Sequence, residues 1–465
     1  MSFSMTFRER YIGDRELYGR FMRLSIPMIV QNLITTFVSM IDNVMIGQIG
    51  TTPMSGVSIC NEFIFIFNLT IFGAVSGAGI FGTQFFGKGD AEGQKYTVRF
   101  RLILVTVMSL IFVAVLLLFG TELIGLFLSS DSDPVQAAET LKYGREYLSL
   151  ICIGMLPYGI GQAYASAIKE CGETKIPMLA SFSAIGINVI LNYGLIFGKL
   201  GMPRLGVAGA AIATVIAKIA EALVMILWAH THPARSPYIT GLYRSFKIPL
   251  KLTRQIILKG CPLLFNEFFW AFGLSVAAQS YSLRGLDTVA ARNIQYTLTD
   301  LFSVFYVQMG ACIGIVLGNM LGAGRLEEAK ETSRKLVFFA IAASLLLSVA
   351  MLPTAFYFPE LYETTDAIRN LATYLILVQV VMLPFYSYTN AAYFVLRCGG
   401  KTGITVLFDF GFTWIVYIPT AFILAHFTNM GIRPLYTISL ATELLKVIFG
   451  HYLIKSDIWV NSIVR

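Results

Sequence analysis

The sequence predicts an all-α polytopic membrane protein, with twelve transmembrane helices in two pseudo-symmetric six-helix lobes. Three observations predict it. Of the 465 residues, 56% are hydrophobic and only 13% charged, against about 25% charged in soluble domains. Apolar runs long enough to cross a bilayer, about 20 residues each, recur from end to end. The second half of the chain also repeats the first. With no water in the hydrocarbon to satisfy backbone groups, such runs must be helical.

The first span, residues 21–47, reads FMRLSIPMIVQNLITTFVSMIDNVMIG. It exceeds the roughly 7–15 apolar residues of a signal segment, and no small-residue cleavage site follows, so it is expected to stay in place. It carries Pro27, expected to bend the helix by removing a backbone donor. It also carries Asp42, an acid at a depth where insertion scales charge roughly 2.5–3.5 kcal/mol. A bent helix with a buried titratable group suits an ion-coupled switch.

The next spans lie at 57–84, 99–120 and 143–167, with the glycine-containing loop FFGKGDAEGQK after the second. The fifth, 176–198, places Asn188 and Asn192 one turn apart. The sixth, 206–230, carries Thr214 at similar depth, then Lys218 with Glu221 three residues on. A polar break rich in Pro, Arg and Lys follows. It sets the expected lobes at 1–230 and 256–465, joined by a linker at 231–255.

The seventh span, 256–281, has Pro262 and, about 11 residues in and near the midplane, Glu267. The eighth, 291–319, holds Asp300 two to three turns inside, read mainly as snorkelling to the outer water. The ninth and tenth lie at 334–357 and 370–396. The eleventh, 402–426, carries Asp409 alone in an apolar helix, suited to function or to a buried hydrogen-bonded pair. The twelfth, 435–455, carries Lys446 with Glu443 three residues before it. Lys218 and Lys446 are midplane charges whose i,i+3 acids give them a structural reading as neutralised pairs.

The repeat is read by spacing. Pro27 matches Pro262 at 235 residues, and FFGKGDAEGQK matches MLGAGRLEEAK at the same spacing, aligning Gly87 with Gly322 and Gly89 with Gly324. Farther on the spacing is 228: GETKIP matches GKTGIT, Thr214 matches Thr442, and Lys218 matches Lys446. Six spans per half is an even number, so the halves cross the membrane in the same sense, as parallel repeats. Of the 35 Lys and Arg, 25 fall on the side holding the N-terminus, the linker and the C-terminus. The positive-inside rule makes that side cytoplasmic, with both termini there.

Several function classes are excluded or disfavoured. The net charge of +8 is topological, so no nucleic-acid partner is expected. The six cysteines lack C-x-x-C spacing and read as packing residues, and the four histidines make no metal pattern. No intramembrane Ser–His, His–Asp or metal motif supports an enzyme. What the residues do offer is Asp42, Asn188, Asn192 and Thr214 at similar depth. They suit an oxygen-lined site for Na⁺ or for a hydrogen-bonded proton, or else ordinary interhelical bonding.

The proline-bearing first helix ending in FVSMIDNVMIG, the G-x-G loop after span two, and the pair LNYGLIFG…GVAGAAIAT resemble the MATE (multidrug and toxic compound extrusion) transporters over essentially the whole chain. The resemblance implies a MATE-type fold and a Na⁺- or H⁺-coupled antiporter that exports cationic amphipathic organic compounds by alternating access. It implies a cation site in the N-lobe at Asp42, Asn188, Asn192 and Thr214, where some members carry an acid in place of Asn192. It implies a C-lobe cation or substrate site at Glu267. Glu267 matches a seventh-span acid of one bacterial branch of the family; the tenth-span acid of that branch is missing here, with Tyr386 near its place and Asp409 as the candidate substitute. No cofactor beyond the coupling ion, a monomer in a prokaryotic plasma (inner) membrane, and small organic cations as substrates are expected. A lipid-linked saccharide exporter of the same superfamily is the alternative, disfavoured because only Lys218 and Lys446 are basic inside the membrane.

Overall fold

The computed structural model describes residues 6–128 and 134–464. Among these residues there is no strand, and twelve helices are long and apolar enough to cross a membrane. The protein is therefore a multi-pass membrane protein. The spans are Arg15–Gly47, Thr51–Lys88, Ala91–Gly125, Pro134–Glu170, Lys175–Phe197, Val207–Thr231, Leu250–Ser282, Leu286–Gly322, Leu326–Tyr357, Asp366–Cys398, Thr402–Phe427 and Ile432–Lys455. Most extend several residues beyond the apolar runs, because backbone pairing continues through the polar ends while hydropathy does not.

Both Pro27 and Pro262 lie inside continuous helices. The eleventh span is irregular: it is π-helical over Leu407–Gly411 and again over Thr413–Tyr417. A π-helical turn makes i→i+5 bonds; such turns are rare and frequently occur at functional sites.

Contacts divide the chain into two compact units. One comprises Val30–Gly82 and Asp90–Ile257; the other comprises the residues up to Ile29, Thr83–Gly89 and those from Leu258 onward. In the first unit the sixth span is a run of small residues. Ala210, Ala211, Ala213, Ala217 and Ala222 are buried, and Gly154 and Gly161 of the fourth span face Val215 and Ala222. Small residues let helix backbones approach closely where lipid offers no hydrophobic drive. The polar residues after this span also pack into the unit. Arg99 donates through Nε to Leu242 O and through Nη2 to Gly241 O, both at 2.8 Å, and Tyr238 is fully buried.

The repeat is visible in the backbone. Gly89 and Gly324 both take positive φ (76° and 78°), as do Gly172 and Gly400 (85° and 72°). These are the turns that leave spans two, eight, four and ten, and left-handed φ is cheap only for glycine.

Candidate cation site

Asp42 sits near the C-terminal end of the first span, half-buried. Asn192 Nδ2 donates to Asp42 Oδ1 at 2.6 Å and also to Asn188 Oδ1 at 3.1 Å. Asn188 Nδ2 in turn donates to Thr214 Oγ1 at 3.3 Å. The four residues singled out in the N-terminal half thus lie on one hydrogen-bonded chain across three helices. The helical period makes it possible, because Asn188 and Asn192 stack one turn apart on the fifth span.

Asn192 is fully buried, and its Oδ1 has no hydrogen-bond partner among the described residues. A buried acceptor left unpaired is costly, and a proton donor or a cation would satisfy it. Asp42 has no ion pair among the described residues; its nearest partners are neutral amides, and Lys218 reaches it only through its field. Lys218 itself is spoken for: its Nζ lies 3.1 Å from Glu221 Oε2. Glu221 also accepts from Ser181 at 2.5 Å, and Ser181 accepts from Gln31 Nε2 at 3.0 Å.

The C-terminal acids are arranged differently. Glu267 accepts a 2.8 Å hydrogen bond from Tyr393 Oη and lies 3.6 Å from Arg397 Nη1. Asp409 sits 2.7 Å from Lys446 Nζ through one oxygen and accepts from Asn266 Nδ2 at 2.9 Å through the other. Glu443 is a second partner of Lys446, at 3.5 Å. Glu267 and Asp409 thus each have their own basic partner, and no hydrogen bond joins them among the described residues. Tyr386 stacks on Tyr306 with ring centroids 6.3 Å apart, and Asp300 is half-buried.

Sequence reasoning missed Arg397 and Arg101. By sequence both belong to the 25 basic residues of the cytoplasmic side, because a polar loop lies close to each. Both are in fact buried, and Arg101 Nη2 meets Glu170 Oε1 at 2.7 Å. Gly79 and Gly82 leave the room for this pair, since a Cβ at Gly82 would strike the Glu170 carboxylate. The repeat offered one signal: Arg397 stands at the 228 spacing from Lys169, another base at the end of a span. No group of three or more His, Cys, Asp or Glu side chains arranged to hold a metal ion occurs among the described residues.

The MatE family model matches this chain over residues 27–194 and 262–423, two stretches that begin at the repeat-related prolines. The curated relatives include the "Probable multidrug resistance protein NorM" of Halalkalibacterium halodurans, 23% identical over 421 residues, 88% of each chain. The protein of the same name from Thermotoga maritima is 21% identical over 424 residues, 90% of this chain and 88% of that one. Among solved structures, "Crystal structure of MATE in complex with MaL6" superposes with a TM-score of 0.83 at 17% identity, covering 97% of this chain and 99% of the other. "Outward-facing conformation of a multidrug resistance MATE family transporter of the MOP superfamily" gives 0.81 at 18% identity, covering 96% and 97%.

Proposed function

The chain belongs to the MatE family, and from that premise we propose that it is a cation-coupled antiporter exporting small, cationic, amphipathic organic compounds across a prokaryotic plasma membrane. Members of this family are transporters and not enzymes. Drug efflux is supported by the multidrug-resistance naming of the relatives. The placement of both termini in the cytoplasm rests on the 25 basic residues gathered on one side.

The observation that carries the coupling reading is the carboxylate of Asp42, half-buried and, among the described residues, bonded to neutral groups alone. An anion with no fixed counter-charge is the group whose energy changes most when a proton or Na⁺ arrives. Ionised, Asp42 favours a state in which Asn192 donates to it and water can reach it. Neutralised, it loses that demand, and the first span is free to repack around Pro27. A ligand shifts such an equilibrium only by its differential affinity for the two states, and about 5.5 kcal/mol moves it from 1:99 to 99:1. Asn188, Asn192 and Thr214 supply neutral oxygens, so the incoming charge is not opposed. The lobes at 1–230 and 256–465 are the bodies that alternate, with 231–255 between them.

Glu267 carries its own cation, Arg397, so it contributes no free negative charge in this arrangement. Its role here is to hold Arg397 and Tyr393.

The test is dye efflux from proteoliposomes with a Na⁺ gradient and a pH gradient imposed separately. Asp42→Asn is expected to abolish the response to whichever gradient drives the parent protein. Unchanged, gradient-dependent efflux by D42N would overturn the reading.

A further inference from the structure

Two side-chain networks repeat between the halves of the sequence. Gln31, Ser181 and Lys218 of the first half correspond to Asn266, Asp409 and Lys446 of the second, at the spacings of 235 and 228. In the first half Gln31 donates to Ser181, Ser181 donates to Glu221, and Glu221 pairs with Lys218. In the second, Asn266 donates to Asp409 and Asp409 pairs with Lys446. The first network holds one acid and one base, so its charges cancel. The second holds a further acid: Glu443 is 3.5 Å from the same Lys446 and accepts from Thr389 Oγ1 at 3.1 Å.

Among the described residues, two carboxyl groups therefore share one ammonium, so the cluster holds one acid more than it has bases. They do not share it equally. Asp409 has the close lysine contact at 2.7 Å and an amide donor on its other oxygen. Glu443 has the distant lysine contact and a single hydroxyl. Side-chain exposures are 16% for Asp409, 15% for Glu443 and 8% for Lys446, and Lys446 already fills the place a cation would take between the acids. Bulky organic cations and metal ions are disfavoured there, and a proton is not. Asp409 also lies in the π-helical segment of the eleventh span, where departures from the regular ladder frequently mark function.

We propose that Asp409, Glu443 and Lys446 form a second proton-exchanging centre, with Glu443 as the group that takes up and releases the proton. The step is a simple transfer. A water-borne proton bonds to the Glu443 carboxylate; the resulting carboxylic acid donates to Thr389 Oγ1, and Lys446 turns wholly to Asp409. Release reverses each bond. The other ionisable groups facing Glu443 are the phenols of Tyr306 on the eighth span and Tyr386 on the tenth. Glu267 and Arg397 face Asp409 as an ion pair of their own. The inference rests on the antiporter reading but not on Asp42.

Two measurements test it. Purified protein in weakly buffered solution is titrated with tetraphenylphosphonium while an indicator dye follows proton release. Glu443→Gln is expected to remove about half of the released protons and Asp42→Asn the rest, as two separate sites require. Full release by E443Q with none by D42N overturns this inference and leaves the Asp42 reading standing. Full release by D42N with none by E443Q does the converse. Infrared difference spectra between acid and alkaline pH need no substrate and no transport. A carboxylic-acid C=O band is expected that disappears in E443Q and shifts in Thr389→Val, which removes its hydrogen-bond partner. If no band responds to either substitution, Glu443 does not exchange a proton and the centre is structural.

Discussion

Gly87 lies with its backbone pressed on the carbonyl of Asn319, and the repeat-related Gly322 lies in the same way on the carbonyl of Gln84. Gln84 and Asn319 are themselves 235 residues apart, so the contact is reciprocal: each repeat-related glycine meets the other's neighbour. A Cβ at either glycine would collide with backbone, which cannot swing aside. Gly87→Ala and Gly322→Ala are therefore each expected to destabilise the protein by about 1–3 kcal/mol, the range for overpacking. The effects should be similar in size, because the sites are equivalent. Gly186→Ala is the control, since nothing lies within 4 Å of the Cβ it would add. Thermal unfolding in detergent reads the difference; equal melting of all three variants would remove the crossing as a determinant of stability.

Twelve helices could be read from the chain because a bilayer permits little else, and two lobes because the glycines and prolines recur at fixed spacing. Gly87 and Gly322 were visible as a matched pair, but what they touch was not. Likewise Asn188 and Asn192 could be placed on one face of the fifth span, since the period is local. Their meeting with Asp42 is a tertiary fact, only suggested by equal depth. Arg397 is buried although its place in the sequence puts it beside a loop, because topology rules count charges near loops without asking which way a side chain turns. Lys446 was assigned its i−3 neighbour Glu443, whereas its closer partner, Asp409, lies on another helix.

Arg397 supplies a second prediction. Its guanidinium is buried against Glu267 and Tyr393, over whose ring it lies 5.6 Å from the centroid. Removing one member of a buried pair leaves the other charge uncompensated, which costs roughly 3–5 kcal/mol. Arg397→Met is expected to lose that much stability, and the double variant R397M/E267Q to recover most of it. A double-mutant cycle on unfolding in detergent measures the coupling. If E267Q fails to rescue R397M, the two residues act independently.

Gln84 supplies a third. Its amide donates to Cys398 O at 2.9 Å and to Asn461 O at 3.2 Å, while its oxygen accepts from Ile463 N at 2.8 Å. Lys88 adds a 2.7 Å bond to Val464 O, and Trp459 is fully buried beneath this segment. One side chain thus satisfies three backbone groups. Gln84→Leu keeps the size and removes the bonds. It is expected to speed cleavage of the C-terminal segment by added protease about tenfold, the effect of ~1.4 kcal/mol on local opening. An unchanged cleavage rate would mean that burial of Trp459 alone holds the segment.

The last prediction concerns the choice of ion at the first-span acid. Asn192 donates to Asp42 at 2.6 Å, and among the described residues its own oxygen has no hydrogen-bond partner. Replacing it with an acid exchanges that donor for a second carboxylate at the same place. Two carboxylates so close cannot both stay bare: either they share a proton or they take up a metal cation. Asn192→Asp is expected to lower the Na⁺ concentration for half-maximal dye efflux by about tenfold, equivalent to ~1.4 kcal/mol of added affinity. Asn188 and Thr214 remain as the neutral oxygens of the enlarged site. The measurement is efflux from proteoliposomes at fixed pH across a series of Na⁺ concentrations, with D42N/N192D alongside. That double variant puts a single acid back on the fifth span, and Na⁺ dependence should fall to the parent level or below. If N192D responds to Na⁺ no better than the parent, the oxygens around Asp42 do not converge on an ion, and the hydrogen-bonded chain is packing alone.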